Sequence, residues 1–353
     1  MDAEGNMRKI YHESRDNVKI LFYADIMGNC GPGNINKGII DNLSESMTYV
    51  RLRGKVWMLL DALKTLVRSD AVVVSGVGRT NNILVRTARM LGKPSAYLMH
   101  GCAEFEYEIN HMKPDPKGLT WERSIMKHAS LLLPVSKRFM YWVRQHYPQY
   151  ADKTGFIYNG VDEKIFAIAG QSIPKTRDIA VAGGLRPQKM NRVVEKAVEA
   201  MDGDIYLDVY GGPVRVRNAG RKTRHNGKLS NEAFLSCLSE TRLFVLNSVL
   251  ETFGIAAMEA LACGCSLLVS DAAGVADLLA LEETDVIHDP ANVEELRGKM
   301  EYLLAHPNHD RLMSRFDAEQ WTFRRMAERL EKICEILVND RQNVLSYFDK
   351  AVN

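Results

Sequence analysis

Short apolar runs alternate with amphipathic helical segments along the whole chain. In the first half the apolar runs cover residues 18–23, 71–75, 95–100 and 131–134. Segments with helical spacing, such as 56–68 and 82–91, lie between them. Short buried strands joined by helices of ten or more residues are typical of a parallel sheet with right-handed crossovers.

The same pattern restarts near residue 178, with apolar runs at 178–182, 205–210, 243–246 and 266–270. A polar segment at 166–177 contains glycine and proline and is interpreted as a linker. The length of 353 residues suits two domains. The pattern therefore predicts an α/β protein with two Rossmann-like, doubly wound parallel-sheet domains at 1–168 and 169–335, facing each other across a cleft. Residues 336–353 are predicted to form a C-terminal helix that packs back on the first domain.

Ligands of such sheets bind beyond the carboxyl ends of the strands, where His100 closes one apolar run. A histidine there can hydrogen-bond a substrate hydroxyl group or transfer protons near neutral pH, and a structural histidine in a turn is the alternative. The next segment, AEFEYEI at 103–109, alternates acidic and apolar residues and is predicted to be half-buried extended chain. Glu104 and Glu106 then face either solvent or an acceptor.

Composition narrows the class of protein. Hydrophobic residues make up 46% and charged residues 25%, as in soluble globular proteins, and no apolar run approaches the roughly 20 residues that cross a membrane. Residues 1–17 are polar, and the six cysteines form no CxxC pair, so we expect a cytoplasmic protein with reduced cysteines.

Residues 1–168 carry 23 basic and 17 acidic side chains. This excess reflects either chance scatter or contact with an anionic acceptor or a membrane surface.

The most informative segment is the junction of strand and helix at 248–264. Glu251 precedes the predicted helix and Glu259 lies about two turns inside it. Between them Phe253 is followed by Gly254, where the missing side chain lets a ligand approach the backbone. The start of a helix offers free N–H groups and a positive dipole end, which favour an anion. The junction predicts a nucleotide-sugar site.

Two glycine turns also follow strands. Gly31-Pro32-Gly33-Asn34 precedes a helix predicted from about residue 36, and its alternative reading is a tight turn without a ligand. GGLRPQKM at 183–190 places Arg186 and Lys189 where two cations can neutralise a diphosphate, unless they are simply exposed loop residues. Neither turn has the GxGxxG or GxxxxGK[ST] pattern of known nucleotide-binding loops.

No metal site is predicted. Asp202-Gly203-Asp204 has the form of a DxD metal motif, but it precedes a strand and therefore lies away from the ligand edge, so we interpret it as a turn. The histidines and cysteines lack zinc-site spacing, and no Gly-x-Ser-x-Gly segment is present.

Together these segments resemble the GT-B nucleotide-sugar glycosyltransferases, specifically the retaining glycosyltransferase family 4 (glycosyltransferase group 1). ETFGIAAME at 251–259 reproduces the E-x(7)-E motif of that family. The resemblance covers most of the chain, and its other segments are LLLPVSKRF at 131–139, YNGVDEKIF at 158–166, GGLRPQK at 183–189, ALACGCSLLVSDAAGVADLL at 260–279 and HDPANVEEL at 288–296.

In the second domain, the resemblance implies that Glu251 contacts the donor sugar and Glu259 the ribose of the nucleotide. It implies that the backbone of Gly254 and Ile255 meets the diphosphate, with Phe253 in the same substrate-binding turn.

Further roles are implied around this turn. Lys189 neutralises the diphosphate, and Gly227-Lys228 frame the base. In the first, acceptor-side domain, Gly33 and Asn34 lie by the donor, and His100 lies near the sugar and the acceptor.

The sequence departs from the family at one position, because Gly184 stands where the phosphate-binding arginine usually lies. Arg186 is the nearest substitute, either taking over that role or stabilising the diphosphate less well.

The implied reaction is retaining, metal-independent transfer of a sugar from a nucleoside diphosphate, UDP- or GDP-linked, to a hydroxyl acceptor. No cofactor beyond the nucleotide-sugar donor and no nucleic acid is expected. The acceptor is expected to be a glycan or a lipid-linked sugar of polysaccharide or glycolipid assembly, with peripheral membrane contact through the basic first domain. Two alternatives are a catalytically silent nucleotide-sugar-binding subunit and a non-hydrolysing nucleotide-sugar epimerase.

Overall fold

The computed structural model describes residues 18–24, 31–50, 55–166, 173–214, 216 and 220–350. Each half of the chain forms its own parallel β-sheet with helices on its faces. Because both faces are covered, the strands are almost continuously apolar and buried, as the alternation of segments predicts. The predicted doubly wound α/β fold with two parallel sheets is confirmed.

The first sheet has five strands in the order β2-β1-β3-β4-β5, all parallel. They are β1 Ile20–Ala24, β2 Met47–Tyr49, β3 Ala71–Ser75, β4 Ser95–Met99 and β5 Leu131–Pro134. The helices of this half are α1 Gly31–Ile40, α2 Lys55–Arg68, α3 Arg79–Met90, α4 Ala103–Ile109, α5 Pro116–His128, α6 Lys137–His146 and α7 Glu163–Phe166.

The second sheet has six parallel strands in the order β11-β10-β9-β6-β7-β8. They are β6 Arg177–Ala182, β7 Leu207–Tyr210, β8 Thr223–Gly227, β9 Thr241–Leu246, β10 Ser266–Ser270 and β11 Val286–Ile287. Its helices are α8 Asn191–Glu199, α9 Asn231–Ser239, α10 Ile255–Ala262, α11 Val293–Ala305 and α12 His309–Ser314. Two more helices follow, α13 Phe323–Asn339 and α14 Val344–Lys350.

The strands that the sequence did not predict are β2, β8 and β11. The strands β2 and β11 have only three and two residues, and β8 has the polar sequence TRHNG. Strands this short or this polar carry no run of apolar residues for a pattern to detect. Their places are fixed instead by pairing with β1, β7 and β10.

Two local predictions are wrong. The segment 103–109, predicted to be extended, is the helix α4. The segment Gly31–Asn34, predicted to be a turn, is the first turn of α1. Residues 28–30 of the same glycine-rich run, like residues 167–172 of the predicted linker, lie outside the described residues.

The end of the chain crosses back to the first domain. Val161 N donates to Trp321 O at 2.8 Å, and Phe323 N donates to Val161 O at 3.2 Å. α13 packs against α1, and the ring of Phe348 on α14 lies 5.8 Å from that of Phe156. The chain therefore returns to the first domain at 321–323, before the expected end of the second domain at residue 335.

None of the helices in the described residues is long and apolar enough to span a bilayer. The five described cysteines are all free thiols.

Candidate active site

The site lies where the second sheet reverses its strand order, between β6 and β9. At such a switch point the loops that leave adjacent strands turn in opposite directions and open a crevice for a ligand. The loop after β6 is 183–190, and the loop after β9 is 247–254. The two loops that the sequence singled out therefore face each other at the carboxyl edge of one sheet.

Gly183 and Gly184 begin the first loop in the left-handed region, with φ of +92° and +63°. A Cβ atom at Gly184 would lie 2.7 Å from the carbonyl oxygen of Gly211. That distance is too short for any side chain, so backbone contact excludes an arginine at this position. The departure from the family pattern is thus built into the packing of two loops.

Gly211 and Gly212, at the carboxyl end of β7, are site residues that the sequence analysis missed. Their φ angles are +86° and +79°, and Gly211 N donates to Gly227 O at 2.6 Å. Gly227 ends β8 in the left-handed region, and Lys228 beside it is exposed. The YGGP sequence at 210–213, which begins with the last residue of β7, was the available signal. Five glycines in three loops leave this edge of the sheet with bare backbone, to which a flat or anionic group can come close.

Lys189 and Glu251 form an ion pair across the crevice. Their side chains are only 14% and 15% exposed, so solvent screens the pair weakly. Arg186 is exposed, and its Nε donates to Gly183 O at 3.3 Å. One predicted cation is thus already bound to the predicted sugar-binding carboxylate, while the other lies at the mouth of the crevice.

The loop that carries Glu251 is held by a short parallel pairing with the loop after β10. Glu251 bridges Ala273, Gly274 N donates to Glu251 O at 2.9 Å, and Val275 N donates to Phe253 O at 2.7 Å. The Phe253 side chain is 2% exposed and belongs to the core. Phe253 therefore anchors the loop and offers a ligand only its backbone.

Gly254 caps α10 with φ +106° and ψ +49°, a conformation that favours glycine. Ile255 is the first helical residue, and the first N–H groups of a helix have no acceptor within the helix. They point out of the helix at its positive end, beside the Lys189–Glu251 pair. This end of α10 has the geometry of a phosphate site.

Glu259 is the fifth residue of α10, just over one turn after Ile255. Burial raises the pKa of its carboxyl group to about 7. Asn231 Nδ2 donates to Glu259 Oε1 at 3.4 Å. A carboxyl group that is partly protonated near neutral pH can both accept and donate hydrogen bonds, which suits a vicinal pair of hydroxyl groups.

His100 forms the opposite wall, directly after β4. Ser75 Oγ donates to Asn36 Oδ1 at 2.6 Å and lies 2.8 Å from His100 Nε2, so His100 must supply its proton at Nε2. Its Nδ1 is then an acceptor, and among the described residues that atom has no hydrogen-bond partner. Burial lowers the pKa of His100 to about 4, so the ring is neutral at pH 7.

Thr252 ties this wall to the second domain. Its Oγ1 donates to His100 O at 2.8 Å, and its own carbonyl oxygen accepts from Ser136 Oγ at 2.6 Å. A Cβ atom at Gly274 would lie 2.5 Å from the Cβ atom of Ser136 in the first domain, so the domains meet here without room for a larger residue. The loop that carries Glu251 is therefore held in place by both domains.

α4 forms the side of the cleft. Asn110, at its end, exchanges hydrogen bonds of 3.1 and 3.2 Å with Gln188, which precedes Lys189. Gln188 Nε2 donates in turn to Leu250 O at 2.7 Å. These amides link α4 to both loops of the crevice.

The remaining predicted residues of the first domain, Gly33 and Asn34, lie in the first turn of α1. Gly33 is buried and Asn34 is exposed. Their neighbours 25–30 are not among the described residues, so their role in donor binding stays a prediction.

Residues 168–319 match the family model of the glycosyl transferases group 1. None of the curated proteins compared with the chain matches it.

Solved structures match over both domains. Sucrose-phosphate synthase from Thermosynechococcus elongatus is 16% identical with a TM-score of 0.65, covering 90% of this chain and 99% of that chain. Anabaena HepE in complex with UDP and glucose is 14% identical with a TM-score of 0.62, covering 89% and 98%. The UDP-forming trehalose-phosphate synthase from Burkholderia xenovorans is 12% identical with a TM-score of 0.60, covering 89% and 98%. The protein therefore has the GT-B fold, and residues 168–319 of its second domain are similar to the glycosyl transferases group 1.

Proposed function

We propose that the protein is a retaining glycosyltransferase of family 4 that moves a sugar from a nucleoside diphosphate to a hydroxyl acceptor. The observation that carries this proposal is the Lys189–Glu251 pair at the start of α10, at the switch point of the second sheet. A cation, a carboxylate and free helix N–H groups at one crevice suit a ligand that joins an anion to a hydroxyl-bearing ring.

During transfer the bond between the anomeric carbon and the diphosphate oxygen breaks, and a bond from the acceptor oxygen to that carbon forms. The acceptor hydroxyl proton passes to an oxygen of the departing diphosphate, and attack from the same face keeps the anomeric configuration. Lys189, Arg186 and the N–H groups of α10 stabilise the negative charge that develops on the diphosphate. When the donor is bound, Glu251 hydrogen-bonds hydroxyl groups of the sugar in place of Lys189. His100 Nδ1 accepts a hydrogen bond from another hydroxyl group of the sugar.

The donor is proposed to be UDP- or GDP-linked. Glu259 binds the ribose, and Gly227 and Lys228 frame the base beside the glycines at the end of β7. Anabaena HepE, which shares this fold, is in complex with UDP, and this similarity of fold supports a uridine nucleotide as part of the donor. Charge stabilisation by side chains and helix N–H groups makes the reaction independent of metal, so activity should persist in EDTA.

The acceptor is proposed to be a glycan or lipid-linked sugar of polysaccharide or glycolipid assembly, reached at a membrane surface. On α2, Trp57, Leu60 and Val67 are 70%, 51% and 61% exposed and recur at helical spacing. Lys64 and Arg68 lie on the same face of the helix. Exposed apolar residues beside cations favour an anionic lipid surface.

A panel of UDP-glucose, UDP-GlcNAc, GDP-mannose and their free nucleotides tests the donor by calorimetry. Mass spectrometry of the reaction products then separates the candidates. A transferase adds the mass of a sugar to an acceptor, whereas an epimerase leaves the mass of the donor unchanged and forms no glycosylated product.

Gly184 favours one second candidate, a silent subunit that binds a nucleotide sugar without turnover, because the usual phosphate arginine has no room there. Donor binding without glycosylated product or hydrolysis would support this candidate and contradict the proposed transferase. A chain that binds no member of the panel would contradict both.

A further inference from the structure

Glu106 is a cleft residue with no role in the function proposed above. It lies on α4, six residues after His100, and its carboxylate lies against Gly101. A Cβ atom at Gly101 would overlap Glu106 Oε1, so the glycine makes room for this carboxylate. The position beside His100 places Glu106 on the first-domain wall.

The charges that act on Glu106 belong to the opposite wall. Burial raises the pKa of its carboxyl group, and Glu251 raises it further. Arg186 and Lys189 oppose this rise. α4 packs against the turn at 187–189, and Asn110 at its end exchanges hydrogen bonds with Gln188. Glu106 therefore lies close enough to the two cations and to Glu251 for their charges to act on it, although it belongs to the other domain.

Two other buried or partly buried acidic residues near α4 have partners. Glu104 pairs with Arg123, and both oxygens of Glu122 accept from Ala103 N at 3.1 Å. In the described part of the chain, the Glu106 carboxylate has neither a hydrogen bond nor an ion pair. A half-buried carboxylate without a partner has lost part of its hydration and gained no hydrogen bond in return. A ligand that donates a hydrogen bond to it would compensate for this loss.

We propose that Glu106 binds a hydroxyl group of the donor sugar, opposite Glu251, so that carboxylates from both domains hold the same ring. A carboxylate repels the diphosphate and accepts hydrogen bonds from hydroxyl groups. The sugar is joined to the diphosphate, and it therefore occupies the space next to Arg186 and Lys189 that Glu106 faces. This inference rests on the proposed nucleotide-sugar donor and adds a residue to it.

The test is calorimetry of wild type, Glu106→Gln and Glu106→Ala with two ligand pairs, UDP with UDP-glucose and GDP with GDP-mannose. The ratio of the Kd of the sugar nucleotide to that of the free nucleotide should rise about tenfold in both variants, because only the sugar nucleotide carries the hydroxyl groups. Affinity for the free nucleotide should stay equal or increase, since a negative charge near the two cations is removed. Glu108→Gln, an exposed carboxylate on the same helix, should leave the ratio unchanged.

The outcomes separate the two proposals. An unchanged ratio in both variants, with wild-type protein binding the ligands, overturns the role of Glu106 and leaves the donor site standing. An equal loss of affinity for free and sugar-bearing nucleotides identifies a structural residue and also overturns it. Wild-type protein that binds neither pair overturns the proposed function, and this inference with it.

Discussion

Thr252 Oγ1 donates a hydrogen bond of 2.8 Å to the carbonyl oxygen of His100. The bond joins the loop between the two motif glutamates to the end of β4 in the other domain. Both groups lie within one residue of a proposed sugar contact, Glu251 on one side and the His100 ring on the other. The proposed donor site and the contact between the domains therefore share one threonine.

Thr252→Val should weaken this coupling without changing the size of the side chain. Loss of one hydrogen bond costs about 1 kcal/mol, so we expect donor affinity to fall about fivefold, with a larger radius of gyration for the free protein by small-angle scattering. Thr120→Val is the matched control, because Thr120 Oγ1 donates within α5 to Pro116 O. Equal donor affinity in Thr252→Val and wild type would show that the bond does not position the site.

The two members of the Lys189–Glu251 pair should have opposite effects on nucleotide binding. Lys189→Ala removes a cation from the diphosphate and should weaken UDP binding by about 10- to 100-fold. Glu251→Gln removes a negative charge, so UDP binding should be retained or tighter while transfer falls at least about 100-fold. Calorimetry and initial rates measure the two effects. Lys196→Ala, at an exposed position on α8, should change neither UDP affinity nor the rate of transfer. Normal turnover in Glu251→Ala with the fold intact would refute the proposed site.

Gly184→Ala should destabilise the protein by at least about 2 kcal/mol. The new Cβ would lie 2.7 Å from Gly211 O, and φ of +63° is unfavourable for alanine. Gly298→Ala is the control within a helix, because a Cβ there meets nothing within 4 Å, and it should stabilise α11 by about 0.5 to 1 kcal/mol. Urea unfolding measures both changes, and similar midpoints for the two variants would contradict the close contact of the glycine loops.

Glu122 should make stability depend on pH. Burial raises the pKa of its carboxyl group to about 7, above the ordinary value of 4.5. Between pH 4.5 and pH 7, Glu122 therefore stays protonated in the folded state and is ionised in the unfolded state. This difference stabilises the folded state at low pH, and the stabilisation disappears as pH rises from about 4.5 to 7. The full effect is on the order of 3 kcal/mol.

Urea unfolding of wild type and Glu122→Gln at pH 5 and pH 8 measures this effect. The glutamine still accepts from Ala103 N and does not ionise, so the variant should lose less stability than wild type between the two pH values. Glu108→Gln provides the exposed control. The same loss in wild type and Glu122→Gln would rule out Glu122 as the source.

The exposed face of α2 should bind anionic lipid. We expect the protein to sediment with vesicles of phosphatidylcholine and phosphatidylglycerol at 3:1, and to do so less after Trp57→Ala or Lys64→Ala. Tyr302→Ala, which removes an exposed aromatic ring from the second domain, should leave binding unchanged. The proposed membrane contact would be contradicted if the same amount of protein sedimented with vesicles of pure phosphatidylcholine. It would also be contradicted if Trp57→Ala sedimented as well as wild type.

The sequence by itself determined the two-domain α/β fold and the place of the Glu251–Glu259 segment at the start of a helix. Strand and helix periodicity are local, and a parallel sheet brings the carboxyl ends of its strands to one edge. Strands as short as Met47–Tyr49 and Val286–Ile287 lack such a pattern, and the alternation in 103–109 predicts extended chain although the segment forms a helix.

Only the tertiary structure decided which groups meet. Glu106 faces Arg186 because α4 packs against the turn before α8, and no spacing along the chain encodes that approach. The exclusion of a side chain at Gly184 depends on Gly211, 27 residues away and on a neighbouring strand end. The bond from Thr252 to His100 spans 152 positions. These contacts depend on the order of the strands within a sheet and on how the two domains pack against each other, which are properties of the whole fold, whereas periodicity is a property of ten or twenty residues.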